Sequence, residues 1–398
     1  MTFRTLDGVD LKAKRALVRV DFNVPMKDGV VADDTRLRAA LPTIQRLRSA
    51  GAKVVLMAHF DRPKGKVVPS MSLAPVVDAL SGLLGRKVLF AADCVGDRAG
   101  EAIARMNDGD VLLLENLRYH AGEEADDAAF AEALAQSGDI YVNDAFSAAH
   151  RAHASTSAIA RILPSFAGEA MKRELKALDA ALGHPEHPVL GVVGGSKVST
   201  KLDLLRNLVV KLDILAIGGG MANTFLFADG HEVGSSYCEK DLADVAREIV
   251  GLAADNRCEL LLPIDTVVAE RAAPGEPARV RDLGDIDDNE RILDAGPRTV
   301  ARLEAAMDRA RTLVWNGPLG VFEMPPFDAG TVAAARHAAA LCKAGKLVAV
   351  AGGGDTVAAL IHAGVENDFT FVSTAGGAFL EWMEGKTLPG VAALQTAA

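Results

Sequence analysis

Only four cysteines occur in 398 residues, Cys94, Cys238, Cys258 and Cys342, and no two stand as Cys-x-x-Cys. That spacing argues against a zinc knuckle or a disulfide scaffold, leaving buried free thiols in a reducing compartment as the plain reading. An excess of positive charge is also missing. Lys and Arg number 43 against 53 Asp and Glu, a net charge of −10, so the chain as a whole does not advertise nucleic-acid binding. A local basic pocket for a small anion stays open. No apolar run approaches the roughly 18 residues of a membrane span. The stretch Met1 to Gly8 has no apolar signal core, so a cytoplasmic protein away from the membrane is expected. The 37 glycines and 16 prolines follow no period, which excludes collagen.

What is present is the balance of a globular protein, 49% hydrophobic and 24% charged. At roughly 100–200 residues per domain, the length suggests two or three domains. Short apolar runs recur at 16–23, 53–58, 87–91, 111–115 and 140–143, then at 189–193, 214–217, 259–263, 312–315, 346–351 and 369–372. Helical patterns such as 35–49 and 128–136 separate them. Apolar strands alternating with helices predict an α/β protein with doubly wound parallel sheets, the same architecture twice. A charged amphipathic helix over 168–182, with Met171, Leu175, Leu178 and Leu182 on one side, lies between the halves. Gly183-His184-Pro185-Glu186-His187-Pro188 ends it. Two lobes joined by a helix imply a cleft, a favoured place for a ligand.

Several motifs fail. Gly385-Lys386-Thr387 resembles the end of a Walker A loop, but Leu380 stands where its first glycine belongs. Gly218-Gly219-Gly220 lacks the dinucleotide fingerprint, because Asn223 replaces its last glycine. His150 and His153 have no Cys or Glu partner at ligand spacing. Three glycine turns hold up better. Gly194-Gly195-Ser196-Lys197-Val198-Ser199-Thr200-Lys201 follows a strand and should open a helix, with Lys197 and Lys201 on one face. Two cations there repel each other and oppose the helix dipole unless a phosphate binds. Gly352-Gly353-Gly354-Asp355-Thr356 offers a cradle of backbone N–H groups. Asp355 either caps the helix or reaches a Mg²⁺ carried by a nucleotide. Ser373-Thr374-Ala375-Gly376-Gly377-Ala378 repeats the strand-then-glycine pattern. The first half instead places Asp21, Asn23, Arg36, His59, Arg62, Arg118 and Arg151 at or beyond strand ends, a pattern that suits a small-anion pocket.

These motifs, in this order, closely resemble the phosphoglycerate kinase family over essentially the whole chain. The matching stretches include Arg19-Val20-Asp21-Phe22-Asn23-Val24-Pro25, Leu113-Leu114-Glu115-Asn116-Leu117-Arg118 and Ala149-His150-Arg151-Ala152-His153. Others are Gly194-Gly195-Ser196-Lys197-Val198, Gly218-Gly219-Gly220-Met221 and Val314-Trp315-Asn316-Gly317-Pro318. Gly352-Gly353-Gly354-Asp355-Thr356 and Leu388-Pro389-Gly390-Val391 complete the set.

The resemblance implies reversible phosphoryl transfer between ATP and 3-phosphoglycerate by a hinge-bending monomer, with Mg²⁺ carried on the nucleotide. It implies a substrate lobe over 1–168, an interdomain helix over 169–184, a nucleotide lobe over 185–380, and a segment from 381 to 398 that returns to the first lobe. Asp21, Phe22, Asn23, Arg36, His59, Phe60, Asp61, Arg62, Arg118 and Arg151 fall to the glycerate. Lys201, Gly219, Gly220, Asn316, Pro318, Glu323, Gly353, Gly354, Asp355 and Thr356 fall to the nucleotide, with Asp355 on the metal. Arg36, Lys197, Gly353 and Gly376 fall to the transferring phosphoryl group.

There are two departures. The family usually reads His-Leu-Gly-Arg-Pro where this chain has His59-Phe60-Asp61-Arg62-Pro63, and Ser-Thr-Gly-Gly-Gly where it has Ser373-Thr374-Ala375-Gly376-Gly377. Asp61 is expected to turn to solvent or pair with Lys64, in which case glycine there would mainly loosen the loop. The rival readings are a two-lobed binding protein that closes on an anion without chemistry, and a kinase of another small carboxylate.

Overall fold

The computed structural model describes residues 3–395. They form two compact units, Ala177–Lys386 and everything before it together with the segment from Thr387 onward. Within the first unit six strands form one parallel sheet: β1 (Arg15–Arg19), β2 (Lys53–Met57), β3 (Leu89–Ala91), β4 (Val111–Leu114), β5 (Ile140–Asn143) and β6 (Ser165–Ala167). Their order is β3-β4-β2-β1-β5-β6.

Side-chain alternation explains why both faces are covered. Ala16, Val18, Val54, Leu56, Val111, Leu113, Ile140 and Val142 enter one apolar cluster, against Leu37, Ile44 and Leu47 of the helix Thr35–Ser49. The alternate residues Leu17, Val55, Met57, Leu112, Leu114 and Tyr141 enter another, with Ala99 and Ile103 of the helix Gly96–Ala104. A strand apolar on both faces has no solvent side, which is why these runs look continuous rather than alternating.

The second unit also builds a six-stranded parallel sheet, in a different order, from among β7 (Val189–Val193), β8 (Ile214–Ile217), β9 (Glu259–Leu261), β10 (Asp265–Ala269), β11 (Arg279–Asp282), β12 (Arg291–Ala295), β13 (Thr312–Asn316), β14 (Val348–Gly352) and β15 (Phe371–Ser373). The parallel sheet runs β9-β8-β7-β13-β14-β15. The other three strands form an antiparallel sheet, β11-β10-β12, which the apolar-run reading passes over. Its outer strand Arg-Val-Arg-Asp is mostly exposed, while Val267, Ala269 and Leu293 of the other two strands pack with Phe327 in a small apolar cluster. Arg281 binds Glu290, itself 1% exposed, at 2.9 Å.

The helix between the halves is α-helical over Glu169–Leu178 and closes in a π-helical turn over Asp179–Gly183. Its start is held by Asp144, whose Oδ1 accepts the N–H groups of Ala170 and Met171 at 2.9 and 3.2 Å. Gly168 has no side chain because a Cβ would lie 2.2 Å from that oxygen. The helix Gly376–Met383 stays in the second unit, so the return to the first begins at Thr387 rather than at 381. There the N–H of Gly390 binds the carbonyl of Ala149 at 2.8 Å. A Cβ on Gly390 would sit 2.9 Å from the Ala149 Cα, so the close docking needs glycine.

Candidate active site

In the first unit the candidate residues follow β1, β2, β4 and β5, which are neighbours, so they gather at one end of the sheet. The carboxyl ends of parallel strands, where strand order reverses, are where such sheets bind ligands. Arg36, in the first turn of its helix, sends Nη1 to Asp21 at 2.9 Å and to the carbonyl of Asn23 at 2.9 Å. Ser147 donates to the same Asp21 oxygen, Oδ2, at 2.6 Å. The Asn23 side-chain oxygen accepts the N–H of Asp61 at 2.9 Å, and Arg118 donates to the Asp61 carbonyl at 2.8 Å. Asp21, Asn23, Arg36, Asp61 and Arg118 are thus linked around the loop after β2. Arg62 is exposed, and Arg151 is half-buried with Nε donating to His150 at 3.1 Å.

His59 is buried, and its Nδ1 lies 3.0 Å from Nη2 of Arg19. Burial, reinforced by the Arg19 and Arg118 charges, holds the His59 imidazole well below its ordinary range, so it is neutral. An arginine only donates, so Nδ1 is the acceptor and the ring proton sits on Nε2. Arg19 is fully buried and also donates to Ser155 Oγ at 2.9 Å, and Ser155 Oγ donates to Glu123 at 2.6 Å. Arg19, Ser147, Ser155 and Glu123 support the site, yet sequence reasoning gave them no part in it. Asn116 is another, holding the loop after β2 through both backbone groups of Phe60, at 3.1 and 2.6 Å. The signal for Arg19 was a charge inside an apolar strand, which must have buried partners.

Two expectations need correction. Phe22 is fully buried among Val18, Val20 and Leu37, and Phe60 is 9% exposed within the same cluster. Their rings belong to the core, and only backbone remains for a ligand. Asp61 has φ +53, in the left-handed region. Glycine is at home there and Asp pays a modest strain. The loop therefore already has the shape glycine favours, so an exchange would relieve strain in it rather than simply loosen it. The Asp61 side chain is exposed and makes no ion pair with Lys64 among the described residues.

In the second unit the glycine turns follow β7, β8, β13, β14 and β15, again at one end of the sheet. Residues 194–201 are not helical, because the helix begins at Leu202 with Lys201 as its N-cap. Lys197 and Lys201 therefore do not share a helical face. Lys197 is exposed, its Nζ 5.8 Å from the Tyr237 ring centre. Lys201 is turned inward and hydrogen-bonds to Asn316, at 3.2 Å to the carbonyl and also to Oδ1. Burial pulls the Lys201 ammonium down to about 8, against the opposing pull of Asp355 and Glu384.

The turns interlock through their backbones. A Cβ on Gly194 would lie 1.9 Å from the Pro318 carbonyl oxygen, and one on Gly317 (φ +107) would lie 2.2 Å from that of Gly194. Gly219 (φ +67) caps the helix Gly220–Ala228, and Gly353 (φ +99) caps Gly354–Ala363. Asn316 is 4% exposed and donates to the Gly352 carbonyl at 2.8 Å, while Thr356 Oγ1 accepts the N–H of Gly317 at 2.7 Å. Asp355 is exposed in the first turn of its helix, and its carboxylate makes no hydrogen bond or ion pair among the described residues, acting on Lys201 through its charge. Gly376 opens the helix Gly376–Met383 with clear space around it. Ala375, where the family usually has glycine, has φ −91, which any residue adopts.

A cavity of about 420 Å³ adjoins these turns, lined by Gly195, Gly219, Gly220, Pro318, Glu323 and Asp355. Asn223, Tyr237 and Asp294 line it too and were not among the expected site residues. Asn223 is 1% exposed, and its Oδ1 has no hydrogen-bond partner. Such an atom in a cavity wall invites a donor from a ligand.

The phosphoglycerate kinase family model matches residues 6–386. A phosphoglycerate kinase of Caulobacter vibrioides is 70% identical over 396 residues, covering all of both chains, and one of Rhizobium meliloti is 59% identical over 99% of each. The solved phosphoglycerate kinase of Coxiella burnetii superposes with a TM-score of 0.93 at 41% identity over 99% of both chains. That of Pyrococcus horikoshii gives 0.81 at 32% identity over 99% of this chain and 98% of the other. A match that runs the length of the chain in family model, sequence and fold together makes this chain a member of the phosphoglycerate kinase family.

Proposed function

We propose that the chain transfers a phosphoryl group reversibly between ATP and the carboxylate of 3-phosphoglycerate, giving ADP and 1,3-bisphosphoglycerate. The observation that carries this reading is the division of anion-binding chemistry, cationic side chains at one sheet end and glycine N–H cradles with Lys201 at the other. The acceptor carboxylate is ionised at neutral pH and needs no general base. The difficulty is bringing anions together in line and neutralising their charge.

The first unit takes the glycerate. Arg36, Arg62, Arg118 and Arg151 bind its anionic groups, neutral His59 donates from Nε2, and Asp21 and Asn23 take the hydroxyl and carboxylate region. The second unit takes the nucleotide. Gly219, Gly220 and Pro318 flank the adenosine, Glu323 takes the ribose, and Lys201, Asn316 and the helix N-terminus at Gly353 to Thr356 take the phosphates. Arg36, Lys197 and the N–H groups of Gly353 and Gly376 neutralise the transferring group, which requires closure of the two units. Asp355 fits a magnesium ion brought by the nucleotide, since it is an exposed hard oxygen donor with no hydrogen bond or ion pair among the described residues. The ion supplies charge neutralisation on the phosphates. The enzyme works as a cytoplasmic monomer; among the described residues no helix is long and apolar enough to cross a membrane.

A coupled assay of ADP formation with 3-phosphoglycerate and a panel of other small carboxylic acids tests the reading. Turnover is expected with 3-phosphoglycerate above all others. Tight anion binding with no ATP consumption would mean a binding protein instead.

A further inference from the structure

A second cluster of chemistry-bearing side chains lies in the first unit, and the proposed reaction does not use it. Asp93 and Cys94 stand in the turn between β3 and the helix Gly96–Ala104, and His120 follows the 3₁₀ turn Leu117–Tyr119 after β4. β3 and β4 are parallel neighbours, with Ala91 opposite Leu114, so both turns leave the same end of the sheet. Asp93 Oδ1 lies 2.8 Å from His120 Nε2, and the three ligand atoms lie within 4.8 Å of one another.

We propose that Asp93, Cys94 and His120 form a binding site for a zinc-class divalent cation. The donor set is one sulfur, one imidazole nitrogen and one carboxylate oxygen, which suits a borderline-soft ion and not magnesium or calcium. Bonds of about 2.0–2.3 Å in a tetrahedral site put ligand atoms roughly 3.3–3.8 Å apart. The cluster reaches that spacing with shifts of about 1 Å. The ion takes the place of the proton between Asp93 Oδ1 and His120 Nε2, and the imidazole then binds it through Nε2 with Nδ1 carrying the ring proton. The Cys94 S–H bond breaks as the sulfur–metal bond forms, and its proton leaves to solvent.

One thiolate and one carboxylate then balance the ion's two charges, so a neutral site replaces a buried thiol. The ligands are already held: the Cys94 N–H donates to Asp93 Oδ1 at 2.7 Å, and the His120 ring stacks on Phe130 at 5.1 Å. Asp93 and His120 side chains are 37% and 32% exposed, which gives the ion a way in and leaves its fourth position to water.

Equilibrium dialysis of the full chain against Zn²⁺ tests this, with Co²⁺ as the optical probe. One equivalent of zinc is expected, and cobalt should give a thiolate charge-transfer band. His120→Asn and Cys94→Ser should each weaken zinc binding by about tenfold or more and remove the band. Cys238→Ala, at a half-buried thiol in the second unit, should change neither. If Cys94→Ser fails to fold by near-ultraviolet dichroism, Asp93→Asn at the half-exposed ligand replaces it, with the same loss expected. Zinc held equally by wild type, His120→Asn and Asp93→Asn overturns the assignment, as does the absence of stoichiometric binding.

Discussion

The two units each carry a six-stranded parallel sheet, in different strand orders, and present different groups at the sheet ends. The first uses side chains: Arg36 on Asp21, Arg118 on the Asp61 carbonyl and His59 set by Arg19. The second uses backbone: Gly194 against Gly317 and Pro318, Gly219 against Gly195, and Gly353 against the Asn316 side chain, which Lys201 also contacts. A side-chain site is tuned by charge and reach and should fail when one group is cut away. A backbone site is tuned by close approach and should fail when one methyl is added.

The sharpest way to break this contrast is Gly194→Ala. Its Cβ would lie 1.9 Å from the Pro318 carbonyl oxygen, which no rotamer relieves. Nucleotide binding measured by calorimetry should vanish, while 3-phosphoglycerate binding to the first unit persists. Gly376→Ala meets open space and should leave the fold intact, so any fall in kcat would report a ligand approaching that N–H. Next in size is Arg36→Ala. Loss of one preorganised charge contact costs roughly 2.7–4 kcal/mol, about 10²–10³ in rate. Steady-state kinetics should show kcat falling by that factor with nucleotide affinity little changed; an unaltered kcat in a folded variant would remove Arg36 from the mechanism.

A pH series separates the units further. With its ammonium pulled down to about 8, Lys201 is charged below that pH and neutral above it. Phosphate binds the charged form, so nucleotide affinity should fall as pH rises through 8, and Lys201→Arg should flatten that dependence. The smallest effect is expected at the departure in the side-chain site. Asp61→Gly relieves left-handed strain of roughly 1–2 kcal/mol. It adds unfolded-state entropy worth roughly 0.5–1 kcal/mol. Thermal melting should therefore move little, and KM for 3-phosphoglycerate should change less than about twofold, because the exposed carboxylate is well screened. A tenfold, salt-sensitive fall in KM would instead mean that Asp61 faces the substrate.

Buried carboxylates give a related test of stability. Burial raises Asp144, at the start of the bridging helix, and Asp294, in the wall of the second unit's cavity, to about 7. A folded-state value above the unfolded one means the folded chain holds the extra proton between about pH 4 and 7, so their contribution to stability declines over that window as pH rises. Asp144→Asn keeps an acceptor for the helix N–H groups and should flatten the decline seen in urea titrations across pH.

By itself the sequence determined the two α/β lobes, because strands covered on both faces must be continuous apolar runs separated by amphipathic helices. It also determined the glycine turns and the strand-end arginines, since these residue types have few other reasons to recur there. Only the tertiary structure decided that Phe22 is core, that Lys201 is an inward N-cap apart from Lys197, and that Arg19 sets the proton on His59. It alone produced the antiparallel three-stranded sheet and brought His120 to Asp93 and Cys94. These features depend on residues far apart in the chain meeting in space. Local periodicity carries which face a residue takes, but not what waits on the other side of it.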